Sequence, residues 1–352
     1  MTASHVAHDE TTLPWARRTF VIAEAGVNHN GDVELAKKLI DSANAAKADA
    51  VKFQTWKPGE LTGKFTDKVG YQRETTDAAE SRYELSKRLA LPFDAFRELQ
   101  SYADKRGILF LSTPDGFESL DFLVDELNVP IIKVGSSEVT HIPFLEAVGA
   151  KGRPVILSTG LSTLGEVETA VAAVRRKSDV PLAVLHCTSE YPAPLEEINL
   201  RAMTTMGNAL GLPVGLSDHS TGMEAAIAAV TLGACVIEKH FTGDKSLPGP
   251  DHRASLEPGE LRAFVEAIRN TEVLLGDGVK RATPSEACNR DGIRRSIVAV
   301  GAIAKGTVLT RDMMTCKRPG YGIAPDLIDR IVGMTVTAGL EGDQPIEWKH
   351  LK

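Results

Sequence analysis

Short apolar runs recur eight times between residues 20 and 241, and amphipathic segments with helical spacing separate them. The runs are rich in β-branched residues and bounded by turn formers, which is typical of buried strands. Eight alternations of strand and helix predict a (β/α)8 TIM barrel, with a doubly wound open sheet as the fallback. The strand-like runs are FVIAEAG (20–26), AVKFQTW (50–56), ILFLSTP (108–114), IIKVGSS (131–137), PVILSTG (154–160), LAVLHCT (182–188), PVGLSDH (213–219) and CVIEKHF (235–241).

The segments on either side of this repeat differ from it in composition and residue pattern. The polar residues 1–14 lack the charged start and apolar centre of a secretory signal, and they predict a disordered tail. The barrel is expected to span residues 15–279, and the turn formers and charges of residues 280–291 predict a linker. Residues 292–352 contain short strands and tight turns, which predict a small β-rich domain that needs a partner surface for stability.

Composition excludes several classes of function. The formal net charge of −7 does not favour a nucleic-acid surface, and no apolar run reaches membrane length. The four cysteines form no CxxC pair, so reduced thiols in a cytoplasmic enzyme are expected rather than a disulfide framework. Neither GxGxxG nor GxxxxGK[ST] occurs, which argues against a Rossmann or P-loop nucleotide site.

Two histidines lie at the ends of consecutive strand-like runs. His219 ends PVGLSDH and His240 comes near the end of CVIEKHF, and the helical segment between them implies parallel strands. Both imidazoles should therefore point from the same rim. With Asp218, Glu238 and Asp251 nearby they could hold one divalent cation, and the mixed donors favour Mn, Fe or Zn over Ca. The alternative is that one or both histidines are hydrogen-bonded core residues.

Two lysines interrupt apolar strands. Lys52 lies in AVKFQ and Lys133 in IIKVG, where a buried charge is costly unless an anion or partner compensates. Polar residues at the carboxyl ends of barrel strands are typical of active sites, so the lysines predict a pocket for a phosphorylated or carboxylated anion. Two alternatives stay open: a structural ion pair with Glu24 or Glu138, and a lysine that forms a Schiff base.

Glu138 lies just past the fourth strand-like run, beside two serines. A carboxylate that faces a metal and an anion pocket is a candidate general acid or base, and the alternative is a solvated loop residue. Residues 57–93, between the second strand and its helix, form a connection too long for a simple turn. Such loops are usually lids or binding loops, and this one leaves from the strand end where barrel active sites are built.

Several strings along the chain resemble the sialic acid synthase family, which condenses phosphoenolpyruvate with an N-acetylated hexose to make nine-carbon sugars. The matching strings are AEAGVNHNGD, AVKFQT, FLSTP, IKVGSSE, STG, HCTSEYPAP, GLSDHSTG and EKHFTGDKSLPGPDHRASLEP. RRSIVAVGAIAKGTVLTRDM and KRPGYGI resemble the family's carboxy-terminal antifreeze-like (SAF) domain, which has a β-clip fold. The resemblance covers about residues 20–350.

The resemblance implies a role for each matching position. It implies a catalytic role for Glu138, Lys133 and Lys52, and a divalent cation on His219 and His240, with Mn²⁺ preferred and Mg²⁺ or Co²⁺ as alternatives. Arg318 matches an arginine that the family donates from a partner subunit, which implies a domain-swapped homodimer. The implied phosphoenolpyruvate contacts are Lys52, Thr113, Lys133, Ser136, Ser158 and Ser217. The implied sugar contacts are Glu24, Gln54, Tyr191, Asp251 and Arg318.

Three departures from the family pattern put the exact sugar in doubt. The family's STPFD reads STPDG here, so Asp115 replaces an aromatic residue, and Ser189 replaces a frequent Asn. The third departure is the loop of residues 71–90, which contains TTDAAESRYEL where many relatives have a TG step and ESQ. Asp77 and Arg82 in this loop could therefore recognise a different substituent on the sugar.

The first functional hypothesis is N-acetylneuraminate synthase acting on N-acetylmannosamine. The nearest alternative is a legionaminic or pseudaminic acid synthase that uses a diacetamido-trideoxyhexose. A metal-dependent lyase or aldolase, and a binding protein that retains the barrel without catalysis, are more distant alternatives.

Overall fold

The computed structural model describes residues 13–77 and 79–352. The disordered tail predicted for residues 1–14 therefore lies mostly outside the described residues. The two members inside them are Leu13 and Pro14, and Leu13 packs against the apolar cluster in the barrel interior together with the buried Trp15. The described residues form two compact units, of which the first ends at Gly276 and the second spans Asp277–Lys352.

Eight parallel strands form the sheet of the first unit, in the order β3-β2-β1-β8-β7-β6-β5-β4. The edge strands β3 and β4 lie beside each other, which closes the ring although no hydrogen-bonded ladder joins them in the part of the chain that the structure describes. The predicted TIM barrel is confirmed. The strands are β1 Phe20–Gly26, β2 Ala50–Thr55, β3 Leu109–Pro114, β4 Ile132–Val134, β5 Val155–Ser158, β6 Leu182–Cys187, β7 Val214–Asp218 and β8 Val236–His240.

Helices surround the strands and bury their apolar faces against them, as the 3.6-residue spacing predicts. Helix starts agree with local capping chemistry: Asp32 accepts hydrogen bonds at the start of α1, and Thr163 forms a capping box with Glu166 at α7. The helices are α1 Val33–Ala45, α2 Gly70–Thr75, α3 Arg82–Leu89, α4 Phe93–Arg106, α5 Phe117–Asp121, α6 Ile142–Ala150, α7 Leu164–Arg175, α8 Arg201–Leu210, α9 Glu224–Thr231 and α10 Pro258–Leu275. In the described residues, no helix is long and apolar enough to span a bilayer.

The long connection after β2 is more ordered than the sequence indicates. It contains α2 and α3, and a capping box between Ser81 and Glu84 starts the second of these helices. Glu60 ties the connection to the start of α5, since its carboxylate accepts hydrogen bonds from the Glu118 amide (3.3 Å) and the Ser119 hydroxyl (2.9 Å). The connection therefore has helical structure of its own and a side-chain anchor to α5.

The second unit is built on two antiparallel strands, β9 Ser296–Ala299 and β10 Met314–Lys317. Its own apolar cluster includes Ile297, Ile331 and Ile346, all fully buried. The stretch predicted as a linker is partly helical, because Thr283 and Glu286 form a capping box at its centre. The short helices of this unit are α11 Pro284–Ala287, α12 Arg290–Ile293 and α13 Ile328–Ile331.

Candidate active site

A cavity of about 510 Å³ opens at the carboxyl ends of the barrel strands. Twelve of the fourteen residues to which the family resemblance assigns a role line this one cavity. They are Glu24, Lys52, Gln54, Thr113, Lys133, Ser136, Ser158, Tyr191, Ser217, His219, His240 and Asp251. The other two are Glu138 and Arg318, and Arg318 belongs to the second unit.

Lys52 is almost fully buried on β2 and is held by two neighbouring strands. Its ammonium lies 2.8 Å from the carboxylate of Glu24 on β1 and donates to the hydroxyl of Thr113 on β3 at 2.9 Å. The strand register sets the first contact, because Glu24 pairs directly with Lys52. Burial opposes the charge, but the carboxylates of Glu238 and Glu24 outweigh it and raise the pKa of Lys52. The ion pair with Glu24, one alternative from the sequence, is present.

Lys133 is also buried, but it is less well compensated. Its ammonium donates to the Ser158 hydroxyl at 2.7 Å and lies 3.5 Å from the Glu238 carboxylate. Burial lowers the pKa of Lys133, and Glu238 only partly opposes this. An anion bound in the cavity would therefore stabilise the charged form of Lys133.

Glu238 joins the two lysines, although the sequence indicates it only as a neighbour of the histidines. Burial alone would raise the pKa of Glu238, but the ammonium groups of Lys133 and Lys52 outweigh burial and hold it below its ordinary value. The Ser217 hydroxyl donates to this carboxylate at 3.0 Å. The available sequence signal was a charge inside an apolar strand, the same signal that singled out both lysines.

His219 and His240 lie side by side, as the strand-helix-strand pattern predicts, with ring centroids 5.3 Å apart. Nδ1 of His219 lies 2.8 Å from the backbone oxygen of Thr188. Because that oxygen only accepts, Nδ1 carries a proton, and Nε2 is the ring nitrogen left as a candidate metal ligand. Nδ1 of His240 is buried without a hydrogen-bond partner among the described residues and lies 3.7 Å from the carboxylate of Asp251.

The Nδ1 of His240, unpartnered in the part of the chain that the structure describes, argues against a fully hydrogen-bonded core role for that ring. Burial, with His219 and Lys52 next in effect, holds the pKa of His240 well below its ordinary value, which favours the neutral ring that metal coordination requires. Burial also acts to lower the pKa of His219, but Cys187 and the Thr188 carbonyl outweigh it and raise that pKa. Within residues 13–77 and 79–352, no three His, Cys, Asp or Glu residues converge to hold a metal alone. A cation held by His219 and His240 would therefore need further ligands from water or substrate.

Two tyrosines form the wall beside the imidazoles. The ring centroid of Tyr191 lies 4.1 Å from that of His219 and 5.5 Å from that of His240. The ring centroid of Tyr71, on α2, lies 5.0 Å from that of Tyr191. The long connection thus contributes directly to the site, since Arg82 also lines the cavity. Asp77, the other loop residue that the sequence singled out, does not.

Glu138 lies outside the cavity lining. A tight 3-10 turn follows β4, and it directs the Glu138 carboxylate to Nδ1 of His141 at 2.7 Å. Asp115 instead provides a buried carboxyl group in the cavity, at the position where the sequence departs from the family pattern. The second departure, Ser189, lines the cavity beside the thiol of Cys187 at 3.8 Å.

Known proteins resemble both units. The NeuB family model matches residues 39–280, and the SAF domain model matches residues 294–352. The N,N'-diacetyllegionaminic acid synthase of Campylobacter jejuni is 44% identical over 94% of this chain and 99% of its own length. That of Legionella pneumophila is 43% identical over 95% and 94%, and human N-acetylneuraminate-9-phosphate synthase is 38% identical over 93% and 91%.

A solved structure is similar as well. The N-acetylneuraminic acid synthetase of Leptospira borgpetersenii, crystallised with citrate, is 37% identical and superposes with a TM-score of 0.69. The match covers 77% of this chain and 90% of that one. Both family models, the full-length relatives and the barrel with its appended β-rich unit agree, and the chain belongs to the NeuB family.

Proposed function

We propose that this protein condenses phosphoenolpyruvate with an N-acetylated hexose to give a nine-carbon nonulosonic acid and phosphate. The observation that carries the proposal is the convergence in one cavity of Lys52, Lys133, His219 and His240. Two buried ammonium groups suit the phosphate and carboxylate of an enol phosphate. The neighbouring imidazoles suit a cation beside the sugar carbonyl.

The enol phosphate would lie against Lys52 and Lys133, with the hydroxyls of Thr113, Ser136 and Ser158 as further donors. Each ammonium is already hydrogen-bonded to one of these hydroxyls, so the donors are oriented before the anion arrives. The anion would offset the desolvation of Lys133, which Glu238 compensates only partly. Ser217 donates to Glu238, so it would reach the anion only by exchanging that bond.

A divalent cation, Mn²⁺ by preference, would be held by His219 and His240, and when bound it would supply a Lewis acid for the aldehyde oxygen of the open-chain sugar. Carbon 3 of phosphoenolpyruvate forms the new bond to the aldehyde carbon, whose oxygen takes up a proton. Water adds to carbon 2 and loses its protons as the ketone forms, and phosphate leaves by C–O cleavage. Glu138 stays the candidate for one of these proton transfers, which requires it to leave His141.

The identity of the sugar is a separate proposal. N-acetylmannosamine is the first hypothesis from the sequence. The relatives at 44% and 43% identity are named N,N'-diacetyllegionaminic acid synthases, and they favour the alternative, a diacetamido-trideoxyhexose. We further propose, from the family resemblance of KRPGYG, that Arg318 reaches the sugar from the partner subunit of a domain-swapped homodimer.

The test is a product assay with phosphoenolpyruvate, Mn²⁺ and a panel of N-acetylated hexoses, read by mass spectrometry. A nine-carbon acid with one of the sugars is expected, and reaction in ¹⁸O-water should label the acid and leave phosphate unlabelled. Consumption of no sugar on the panel, or label in phosphate, would overturn the proposal. Borohydride trapping of a lysine adduct would favour an aldolase instead.

A further inference from the structure

The carboxyl group of Asp115 differs from every other buried acid in the cavity. Glu24, Glu238 and Asp251 each have a cationic or imidazole partner within 3.7 Å. The Asp115 side chain makes no hydrogen bond or ion pair with any residue that the structure describes. Yet Asp115 is only 9% exposed, and it lines the cavity. A largely buried acid with no protein partner leaves its oxygens open to the cavity, where a ligand can supply the contact.

The backbone around Asp115 is fixed, so this position is not a loose loop. Its amide donates to the backbone oxygen of Thr55 at 2.9 Å, directly beyond the β2–β3 ladder. On the other side, Gly116 has φ 144° and lies so close to Glu60 that a Cβ atom there would meet the carboxylate at 2.6 Å. Two flanking contacts therefore fix the backbone of Asp115 at one place on the cavity wall.

The electrostatic surroundings of Asp115 are those of a carboxyl group that lacks a hydrogen-bond donor. Burial, followed by the nearby charge of Glu138, raises the pKa of Asp115 to about 7, and Lys52 and Lys133 oppose this only in part. A neutral hydrogen-bond donor from a ligand would relieve the carboxylate without bringing more charge into the cavity.

Resting on the proposed function, we infer that Asp115 is a specificity-determining residue that accepts a hydrogen bond from a hydroxyl or amide N–H of the acceptor sugar. The chemistry of the two substrates decides between them. Phosphoenolpyruvate carries carboxylate and phosphate oxygens and, when fully ionised, no donor, so it would repel an ionised Asp115. The hexose carries several donors and no charge, so it can satisfy the carboxylate.

Strand order separates Asp115 from His219. In the ring, β3 lies four strands from β7, so Asp115 follows the strand opposite the one that His219 follows. A sugar whose carbonyl lies at the imidazoles would meet Asp115 with a group that does not react. The contact would therefore select among sugars with the same aldehyde and different substituents.

The experiment measures kcat and KM for each substrate separately in wild type, Asp115→Asn and Asp115→Ala, with the exposed Asp94→Asn as control. The KM for the preferred sugar is expected to rise on the order of 10- to 100-fold in the alanine variant and less in the asparagine variant. The KM for phosphoenolpyruvate should not rise in either variant, since an ionised Asp115 would repel that anion and its loss removes no donor from it. Thermal unfolding of each variant shows that the change is not misfolding.

A panel of deoxy analogues of N-acetylmannosamine, and the diacetamido sugar, locates the contact. The analogue that lacks the contacted donor should lose activity in wild type and show no further loss in Asp115→Ala. A sugar KM that is unchanged in Asp115→Ala, or a change in the phosphoenolpyruvate KM alone, would overturn the inference while wild-type turnover still supports the proposed function. Absence of turnover in wild type would instead refute the proposed function.

Discussion

Asp218 and Lys239 form a buried ion pair between neighbouring strands, with the ammonium 2.8 Å from the carboxylate and both side chains 1% exposed. The two residues pair directly in the β7–β8 register, and each comes immediately before a candidate metal ligand, His219 or His240. Asp218 also accepts hydrogen bonds from the amide and hydroxyl of Ser220, and Lys239 donates to the Ser220 backbone oxygen. The sequence indicated Asp218 as a neighbour of the metal, but it lies outside the cavity and instead joins the two strand ends.

Removing one partner of this pair should destabilise the fold strongly. Lys239→Met leaves a buried carboxylate without its cation, and Asp218→Asn leaves the ammonium with only neutral acceptors, so each should cost about 3–5 kcal/mol of unfolding free energy. Urea denaturation measures the loss. The exposed pair of Arg281 and Asp277 provides the control, because Asp277→Asn should cost less than about 1 kcal/mol.

The double variant Asp218→Asn with Lys239→Met separates the charge from the packing. It should recover part of the stability lost by either single change, because no unpaired charge is left inside. Purely additive losses would show that the two residues act independently.

The two imidazoles should bind Mn²⁺ only together. Wild type is expected to gain thermal stability when MnCl₂ is added and to lose it with EDTA, because a ligand that binds only the native state stabilises it. His219→Ala and His240→Ala should each abolish this shift, while the exposed His141→Gln should retain it. The measurement is differential scanning fluorimetry across a metal titration, and a full shift in either alanine variant would exclude that residue from the metal site.

The sequence predicted the barrel because its signal is periodic and repeated, so that tertiary packing only had to agree with it. It also predicted that Lys52, Lys133, His219 and His240 meet at one end of the barrel, since a charge or imidazole at the end of an apolar strand is conspicuous. It could not predict the orientation of Glu138, because one turn of 3-10 helix decides whether that side chain faces the cavity or His141. Nor did the charge signal separate Glu238 from Lys239, because both interrupt the same apolar strand, although only Glu238 lines the cavity.

The ionisation of Asp115 should make stability depend on pH in a definite direction. Its pKa is about 7 in the native state, against an ordinary value of 3.8, so the native state binds this proton more tightly than the unfolded state does. The stability that the neutral carboxyl group retains at low pH is therefore lost as pH rises from about 4 to about 7, and little more is lost above that. Asp115→Asn, which cannot ionise, should match wild type near pH 4 and melt several degrees higher near pH 8.

The difference between the two melting temperatures isolates Asp115 from other titrating groups. The nearby Glu138, Glu24, Lys52 and Lys133 are present in both proteins, so their own titration largely cancels. A melting difference that stays constant across this range would show that Asp115 ionises normally.

Glu60 should control the position of the connection after β2. Its carboxylate accepts a hydrogen bond from the Lys57 amide at 3.1 Å and two more from the start of α5, so it links the start of the connection to that helix. Glu60→Ala should cost about 1 kcal/mol, as loss of a helix cap does, and should speed amide hydrogen exchange in residues 57–69. Gly116→Ala should have a similar effect, because its Cβ would displace the same carboxylate and its φ of 144° disfavours any side chain.

The matched control for Glu60 is Glu118→Ala. Glu118 is an exposed carboxylate that pairs with Lys57, so its loss removes a surface ion pair but leaves its backbone amide free to bind Glu60. Because Leu61, Thr62 and Val69 of the same connection line the cavity, Glu60→Ala should also raise the KM for the sugar severalfold, whereas Glu118→Ala should not. Equal exchange rates in the two variants would mean that the connection is held by its own packing, and that Glu60 does not position it.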